Sequence, residues 1–384
     1  MMKHRILRLI TWLPNGGIER KILAVLPRLN PDLFEIQACC IREPGPLAPD
    51  LEAAGIPVHV IPFRSRWDPL ALTKLSRLVE RLEIKLIHAH MYRANTPATA
   101  LGMWDKNVKI IGQYHNVNTW ESSGQLRMDR WLAPKRAMNL AVSEAVRENV
   151  IKTLRLDPAK VRTVYNGVDT QEFRPVATAR RHAIRERLGI PATAKLVAMV
   201  ARLVKQKNQE LVLRCVPDLV RATPRAHFLF LGGGPDENRL RQIAGELRIA
   251  DNVTFLGNRD DIAEILPACD LSILPSRREG FSNTVLESMA CGLPVVASDV
   301  GGNREVIDSG ISGFLVDTIP SDDGADPQVS ETQFLRYTRR LLIEDDFRIA
   351  MGANARDHVM KFSLGAMIQD VERLYLDLLE GPVA

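Results

Sequence analysis

Two glutamates eight positions apart, Glu279 and Glu287, sit in the stretch PSRREGFSNTVLESMACGLPVVASDVGGNRE, residues 275–305. The pattern predicts the end of a strand, a loop, a helix, a turn and then a buried strand over residues 295–298. Ser282 is placed to N-cap the helix, and Gly292 with Pro294 to stop it. Glu279 then lies on the loop entering the helix and Glu287 inside it, both facing the same mouth. Backbone N–H groups of Phe281, Ser282, Asn283 and Thr284 point toward an anion there, and the helix dipole adds to the attraction. An acid on either side of an anion-binding helix start suits a ligand carrying both phosphate and sugar hydroxyls. Two incidental surface glutamates are the plain alternative. It leaves unexplained why Glu287 is set among small and apolar neighbours such as Met289, Ala290 and Cys291.

Other residues with chemistry to offer fall where strands are expected to end. Arg202 and Lys207 leave an apolar run over residues 196–201, ahead of a helix, where two cations neutralise a diphosphate from two directions. Gly16 and Gly17 follow the first apolar run and permit a tight turn and close approach to an anion, although many such loops carry a glycine pair. His88 and His90 close one expected strand and His115 follows another, which is where open α/β sheets bind ligands. For His88 a packed core role stands equally open. No nearby Cys or carboxylate completes a metal ligand set around them. The run of residues 125–136 places Arg127, Arg130, Lys135 and Arg136 around Trp131, a membrane-surface patch or a solvated helix face.

The elements that must position these residues alternate throughout: strand-like apolar runs, then helix-period stretches, the pattern of parallel sheets covered by helices. A length of 384 residues favours two domains. A boundary is expected over residues 172–192, between domains at 1–172 and 192–362, with a final helix at 363–384 packing back on the first. With 46% apolar and 25% charged residues and no membrane-length apolar run, the chain is expected to be globular and cytoplasmic. The basic start of the chain reads as a first strand, not a signal peptide. Its five cysteines form no C-x-x-C pair and are expected to be buried thiols. Residues 1–175 hold 26 Lys/Arg against 17 Asp/Glu and all five tryptophans, whereas residues 176–384 hold 25 against 29. A basic, Trp-bearing half points to an acidic partner: nucleic acid, an anionic bilayer or a phosphorylated acceptor. Ordinary surface variation accounts for it equally well. Residues 321–329 are expected to form an acidic, flexible surface loop.

Taken together, the motifs resemble a known family. The segment from Glu279-Gly-Phe to Glu287-Ser-Met-Ala-Cys-Gly292 resembles the E-x7-E signature of the family-four retaining glycosyltransferases. The likeness extends in order through Gly16-Gly17, His115, Asn166-Gly-Val-Asp169, Arg202 with Lys207, Leu231-Gly-Gly-Gly-Pro235, Phe255-Leu-Gly257 and Gly301-Gly302. It implies the GT-B fold, an α/β class of two Rossmann-like domains with parallel sheets facing across a cleft.

The resemblance also implies roles. Arg202 and Lys207 would bind the donor's diphosphate, Glu287 the ribose hydroxyls and Glu279 the donor sugar; His115 would contact the sugar from the other domain. Gly16, Gly17 and residues 281–284 would complete the phosphate cradle, and Gly257, Asn258 and Arg259 would lie beside the base. His90, Trp120 and Glu305 are acceptor-side candidates. No Asp-x-Asp motif is present, so neither metal nor cofactor is expected. The implied partners are a nucleotide-sugar and a glycan or lipid-linked acceptor, with peripheral contact to the inner face of an anionic cytoplasmic membrane and no nucleic acid. Ser288 departs from the family's usual Ala. Two rival readings stand: an epimerase or hydrolase of the same fold, for which Glu19 is the best N-terminal carboxylate, and a non-catalytic nucleotide-sugar sensor.

Overall fold

The computed structural model describes residues 3–117, 120, 122–319 and 327–381. The chain divides into two compact units, residues 1–166 with 364–384, and residues 167–363. Each is built on one parallel sheet. Among the described residues the first sheet holds β1 (His4–Ile10), β2 (Phe34–Cys40), β3 (Val58–Val60), β4 (Leu86–His90), β5 (Lys109–Tyr114), β6 (Met138–Ala141) and β7 (Val161–Thr163). The second holds β8 (Lys195–Val200), β9 (Ala226–Leu231), β10 (Val253–Gly257), β11 (Leu271–Leu274), β12 (Val295–Ser298) and β13 (Gly313–Val316). The central strands are continuous apolar runs because helices cover both faces, leaving no solvent side for alternation to serve.

Strand order decides where ligands can enter. The first sheet runs β3-β2-β1-β4-β5-β6-β7 and the second β10-β9-β8-β11-β12-β13. Order reverses between β1 and β4 in one, and between β8 and β11 in the other. At such points the loops leaving adjacent strands go to opposite faces and open a crevice at the carboxyl edge. The loops that open there carry Gly16 and His90 in the first unit, and Arg202 and Glu279 in the second.

Helix Leu364–Glu380 belongs to the first unit, with Leu364, Met367, Val371, Leu374 and Tyr375 buried against Ile6, Ile10 and Leu26. The expected boundary at 172–192 is corrected. The break falls at Asn166–Gly167, and helix Thr178–Arg187 packs within the second unit. Arg185 there is buried: it donates to the carbonyls of Ala268, Ala192 and Ala194 and pairs with Asp270 at 2.8 Å. An Arg-rich helix looks like a linker until its guanidinium finds buried carbonyls to satisfy. Helix Met91–Trp104 went unforeseen, because Pro97 interrupts it and a nearly all-round buried Ala/Thr surface shows no helical stripe.

All five cysteines are free and buried, with burial raising their thiol pKa values. Among the described residues no helix is long and apolar enough to cross a membrane. Most of the expected 321–329 loop lies outside the described residues; its end is corrected, since Gln328–Val329 is a short strand paired antiparallel with Thr318–Ile319.

Candidate functional site

In the second unit the helix foreseen from the glutamate pair spans Asn283–Ala290, and the Ser282 hydroxyl accepts from the Val285 N–H at 3.4 Å. Gly292, at φ +77°, ends it. Thr284 donates its hydroxyl to the Val200 carbonyl at 3.1 Å, fixing the helix start to the end of β8. The Phe281 ring is buried edge-on against Phe362, 5.5 Å between centroids, so this position offers its backbone to a ligand rather than its ring.

Glu279 is 7% exposed, and its Oε1 accepts from Lys207 Nζ at 2.6 Å. Both groups arrive on loops that brace one another. Arg277 N–H donates to the Gln206 carbonyl, the Gln206 side chain donates to the Arg278 carbonyl, and Asn208 Nδ2 donates to the Pro275 carbonyl. Gly301 completes the support: at φ +52° it lies so close that a Cβ would stand 2.0 Å from the Glu279 carbonyl oxygen. Neighbouring Gly302 N–H donates to the Gly280 carbonyl at 2.9 Å. The loop carrying Lys207 and the Gly301–Gly302 turn thus both hold the segment that presents Glu279.

Arg202 is exposed, and among the described residues its guanidinium has no hydrogen-bond partner. Its backbone is held by Gln209, which donates to the Arg202 carbonyl at 2.8 Å. The triple-glycine loop after β9 packs against the same turn: a Cβ on Gly234 would stand 2.2 Å from the Leu203 carbonyl oxygen. These glycines therefore serve close approach to the loop that presents Arg202. Asn258 accepts from the Gly233 N–H at 2.7 Å, and Arg259 pairs with Asp261 at 2.6 Å, so both side chains are committed within the unit. Glu287 is half-buried on the helix. Glu305, an acceptor-side candidate, lies in the second unit, beside the glycine pair that supports Glu279. Ser288 is fully buried and donates to Ser272 at 2.9 Å, which accounts for a hydroxyl where the family has Ala.

The first unit gathers the three histidines. His88 and His90 are buried and stacked at 4.9 Å; His90 stacks on His115 at 5.3 Å, and its Nδ1 meets His115 Nε2 at 3.1 Å. Burial, followed by the charge of Arg8, holds all three imidazoles below their ordinary pKa. Gly16 donates its N–H to the Pro14 carbonyl at 2.8 Å, closing a tight turn, and caps helix Gly17–Val25 with an extended backbone, φ −123°. Burial raises the Glu19 carboxyl pKa. Trp120 donates its indole N–H to Asp129 at 2.9 Å, which leaves only its ring for a substrate.

The basic run 125–136 divides in two. Arg136 is 1% exposed, paired with Asp129 at 2.5 Å and hydrogen-bonded to Tyr114, Thr99 and Asn139. Arg130 donates to the Thr153 carbonyl. Only Arg127 and Lys135, with Lys135 over the Trp131 ring at 4.1 Å, face outward. Sequence reasoning missed a cavity of about 580 Å³ in the same unit, lined by Arg42, Arg64, Arg66, Arg93, Trp67 and Tyr92. A smaller one of about 250 Å³ shares Arg42, Tyr92 and Arg93 and reaches Glu19 and His90. These arginines follow β2, β3 and β4, so the rule that singled out the histidines applied to them too. Among the described residues no group of three or more His, Cys, Asp or Glu side chains is arranged to hold a metal.

Two doubly wound units, the second carrying the Lys207–Glu279 pair and Arg202 at its switch point, have the architecture of the GT-B class. Residues 180–358 match the model for glycosyl transferases group 1 and residues 15–172 that for glycosyltransferase family 4. The D-inositol 3-phosphate glycosyltransferase of Corynebacterium kroppenstedtii is 30% identical over 325 residues, covering 79% of this chain and 69% of that one. Its namesake from Stackebrandtia nassauensis is 33% identical over 408 residues, covering 95% and 87%. The crystal structure of Anabaena HepE in complex with UDP superposes with a TM-score of 0.83 at 23% identity, over 97% of this chain and 99% of that one. The chain belongs to the group-1, family-4 glycosyltransferases.

Proposed function

We propose that the chain transfers a sugar, with retention and without a metal, from a nucleotide-sugar to an anionic glycan or lipid-linked acceptor in cell-envelope polysaccharide or glycolipid synthesis. The observation that carries this is the Lys207–Glu279 pair beside the open Arg202, at the N-terminus of helix Asn283–Ala290. A donor diphosphate entering there exchanges Lys207's carboxylate for phosphate oxygens and gains Arg202 and the helix N–H groups. The freed Glu279 then faces the sugar. As the anomeric C–O bond to phosphate breaks, Arg202 and Lys207 stabilise the leaving diphosphate, each such donor contributing about 3 kcal/mol. Positive charge developing at the anomeric carbon falls to Glu279. The acceptor oxygen bonds that carbon on the face the phosphate leaves, and the phosphate takes the acceptor's proton. Glu287 accepts the ribose hydroxyls, and the backbone of Gly257, Asn258 and Arg259 borders the base. UDP is the first nucleotide to try, since HepE was solved with it.

The acceptor reading is supported by the arginine-lined cavity of the first unit, whose four guanidiniums suit a phosphate or carboxylate on the acceptor. The D-inositol 3-phosphate in the relatives' name is one such compound. Trp131 with Lys135 offers a peripheral foothold on an anionic inner membrane face. Labelled UDP- and GDP-sugars incubated with phosphorylated polyols or lipid extract, in the presence of EDTA, test the reading. A new glycoside of unchanged anomeric configuration supports it. Sugar release without transfer points to the epimerase or hydrolase, binding without turnover to the sensor, and loss of transfer with EDTA overturns metal independence.

A further inference from the structure

Arg8 is a buried charge with no part in the reading above. It stands within β1, 4% exposed and in register with His88 of β4, and among the described residues no carboxylate pairs with it. Three neutral groups take its protons instead. Nη1 meets His88 Nδ1 at 2.9 Å and the Tyr375 hydroxyl, and Nη2 meets His90 Nε2 at 2.6 Å. The chain of contacts continues outward. His88 Nε2 lies 2.9 Å from Gln113 Oε1, and His90 Nδ1 lies 3.1 Å from His115 Nε2.

A guanidinium carries only donors and no acceptor. Each imidazole nitrogen facing Arg8 must therefore be the one with the lone pair, and a neutral ring then carries its proton on the other nitrogen. For His88 this puts the proton on Nε2, where Gln113 Oε1 accepts it. For His90 it puts the proton on Nδ1, which donates to His115 Nε2. His115 Nε2 is thereby an acceptor, and its own proton sits on Nδ1. We infer that Arg8 is a positioning residue that sets the tautomers of His88 and His90 directly and, through His90, that of His115, so that His115 offers its ligand an Nδ1–H donor and no basic lone pair. The catalytic meaning rests on the proposed function and on the contact with the transferred sugar that the family resemblance implies for His115; the order of protons does not. A donor at this position orients a sugar hydroxyl oxygen and cannot deprotonate the acceptor. That leaves proton removal to the departing phosphate.

Long-range proton–nitrogen NMR correlation of the full chain, labelled with ¹⁵N-histidine at about pH 7.5, reads the tautomers directly, with His→Gln variants for assignment. The expected spectrum shows His90 and His115 protonated at Nδ1 and His88 at Nε2. Protonation of His115 at Nε2 overturns the inference. Arg8→Met keeps the length and removes the donors, so His90 and His115 should lose their fixed order. Transfer kcat should then fall about tenfold or more with little change in the donor's KM. Arg8→Lys, which reaches one imidazole but not two, should restore part of the order and of kcat together. Unchanged tautomers in Arg8→Met overturn the proposal; should that variant fail to fold, the wild-type and Arg8→Lys spectra decide. If wild type transfers no sugar from any donor, the functional reading fails while the spectrum still tests the proton order.

Discussion

Glu279 is paired at its carboxylate with Lys207, but its backbone is held by the Gly301–Gly302 turn, so the placement of its loop does not depend on its charge. Glu279→Gln should therefore keep the loop in place and the nucleotide Kd within a few-fold, while transfer falls by about a hundredfold or more. Isothermal titration with UDP beside a transfer assay checks both halves, and unchanged turnover would remove Glu279 from the chemistry. Glu287→Ala should act in the opposite sense. Loss of a charged acceptor for two hydroxyls costs about 1.5–3 kcal/mol, a rise in Kd of about ten- to a hundredfold, with a smaller effect at saturating donor. At this scale the sequence was informative where residue type and loop position sufficed. It singled out Glu279, Arg202, Lys207 and the histidines. It misjudged Arg136, whose burial depends on Asp129 standing opposite, and it passed over Arg8, whose partners come from β4 and the last helix.

The first sheet carries a consequence for pH. His88 and His90 lie well below their ordinary pKa, burial being the larger cause and Arg8 the next. Unfolded, the two rings take up protons near pH 6.5; folded, they stay neutral well below that. The native state binds fewer protons there, so stability is full above the unfolded value and is lost as pH falls through it. Each ring adds a slope approaching about 1.4 kcal/mol per pH unit. Urea midpoints followed by a probe in the first unit should drop from pH 7 to pH 5, more steeply than in a His88→Gln, His90→Gln variant. A pH-independent midpoint in the wild type would contradict the neutral, buried state. The elements themselves were largely legible: Ser282 and Gly292 bracket helix Asn283–Ala290 as their chemistry requires. Helix Met91–Trp104 was not, because a segment buried nearly all round carries no amphipathic signal.

On the scale of the whole molecule, the first unit is closed by residues from the far end of the chain. Leu364, Met367, Val371, Leu374 and Tyr375 fill its core, and the Tyr375 hydroxyl completes the Arg8 cluster. Removing residues 364–384 should uncover that core. The first unit should then become protease-sensitive and bind a hydrophobic dye, while the second keeps its nucleotide affinity. A truncated chain with full protection of the first unit would show the helix to be dispensable. The sequence by itself determined the alternation of strands and helices, the GT-B class and the family, because periodicity, cap residues and the E-x7-E spacing are local properties of a chain. The return of the last helix to the first unit was expected from the sequence, but only the tertiary structure decided that this unit breaks off at Asn166. It alone brought Arg42, Arg64, Arg66 and Arg93 around one cavity and placed Gly301 against the Glu279 carbonyl. Those are meetings of residues distant in sequence, and strand order and burial choose them.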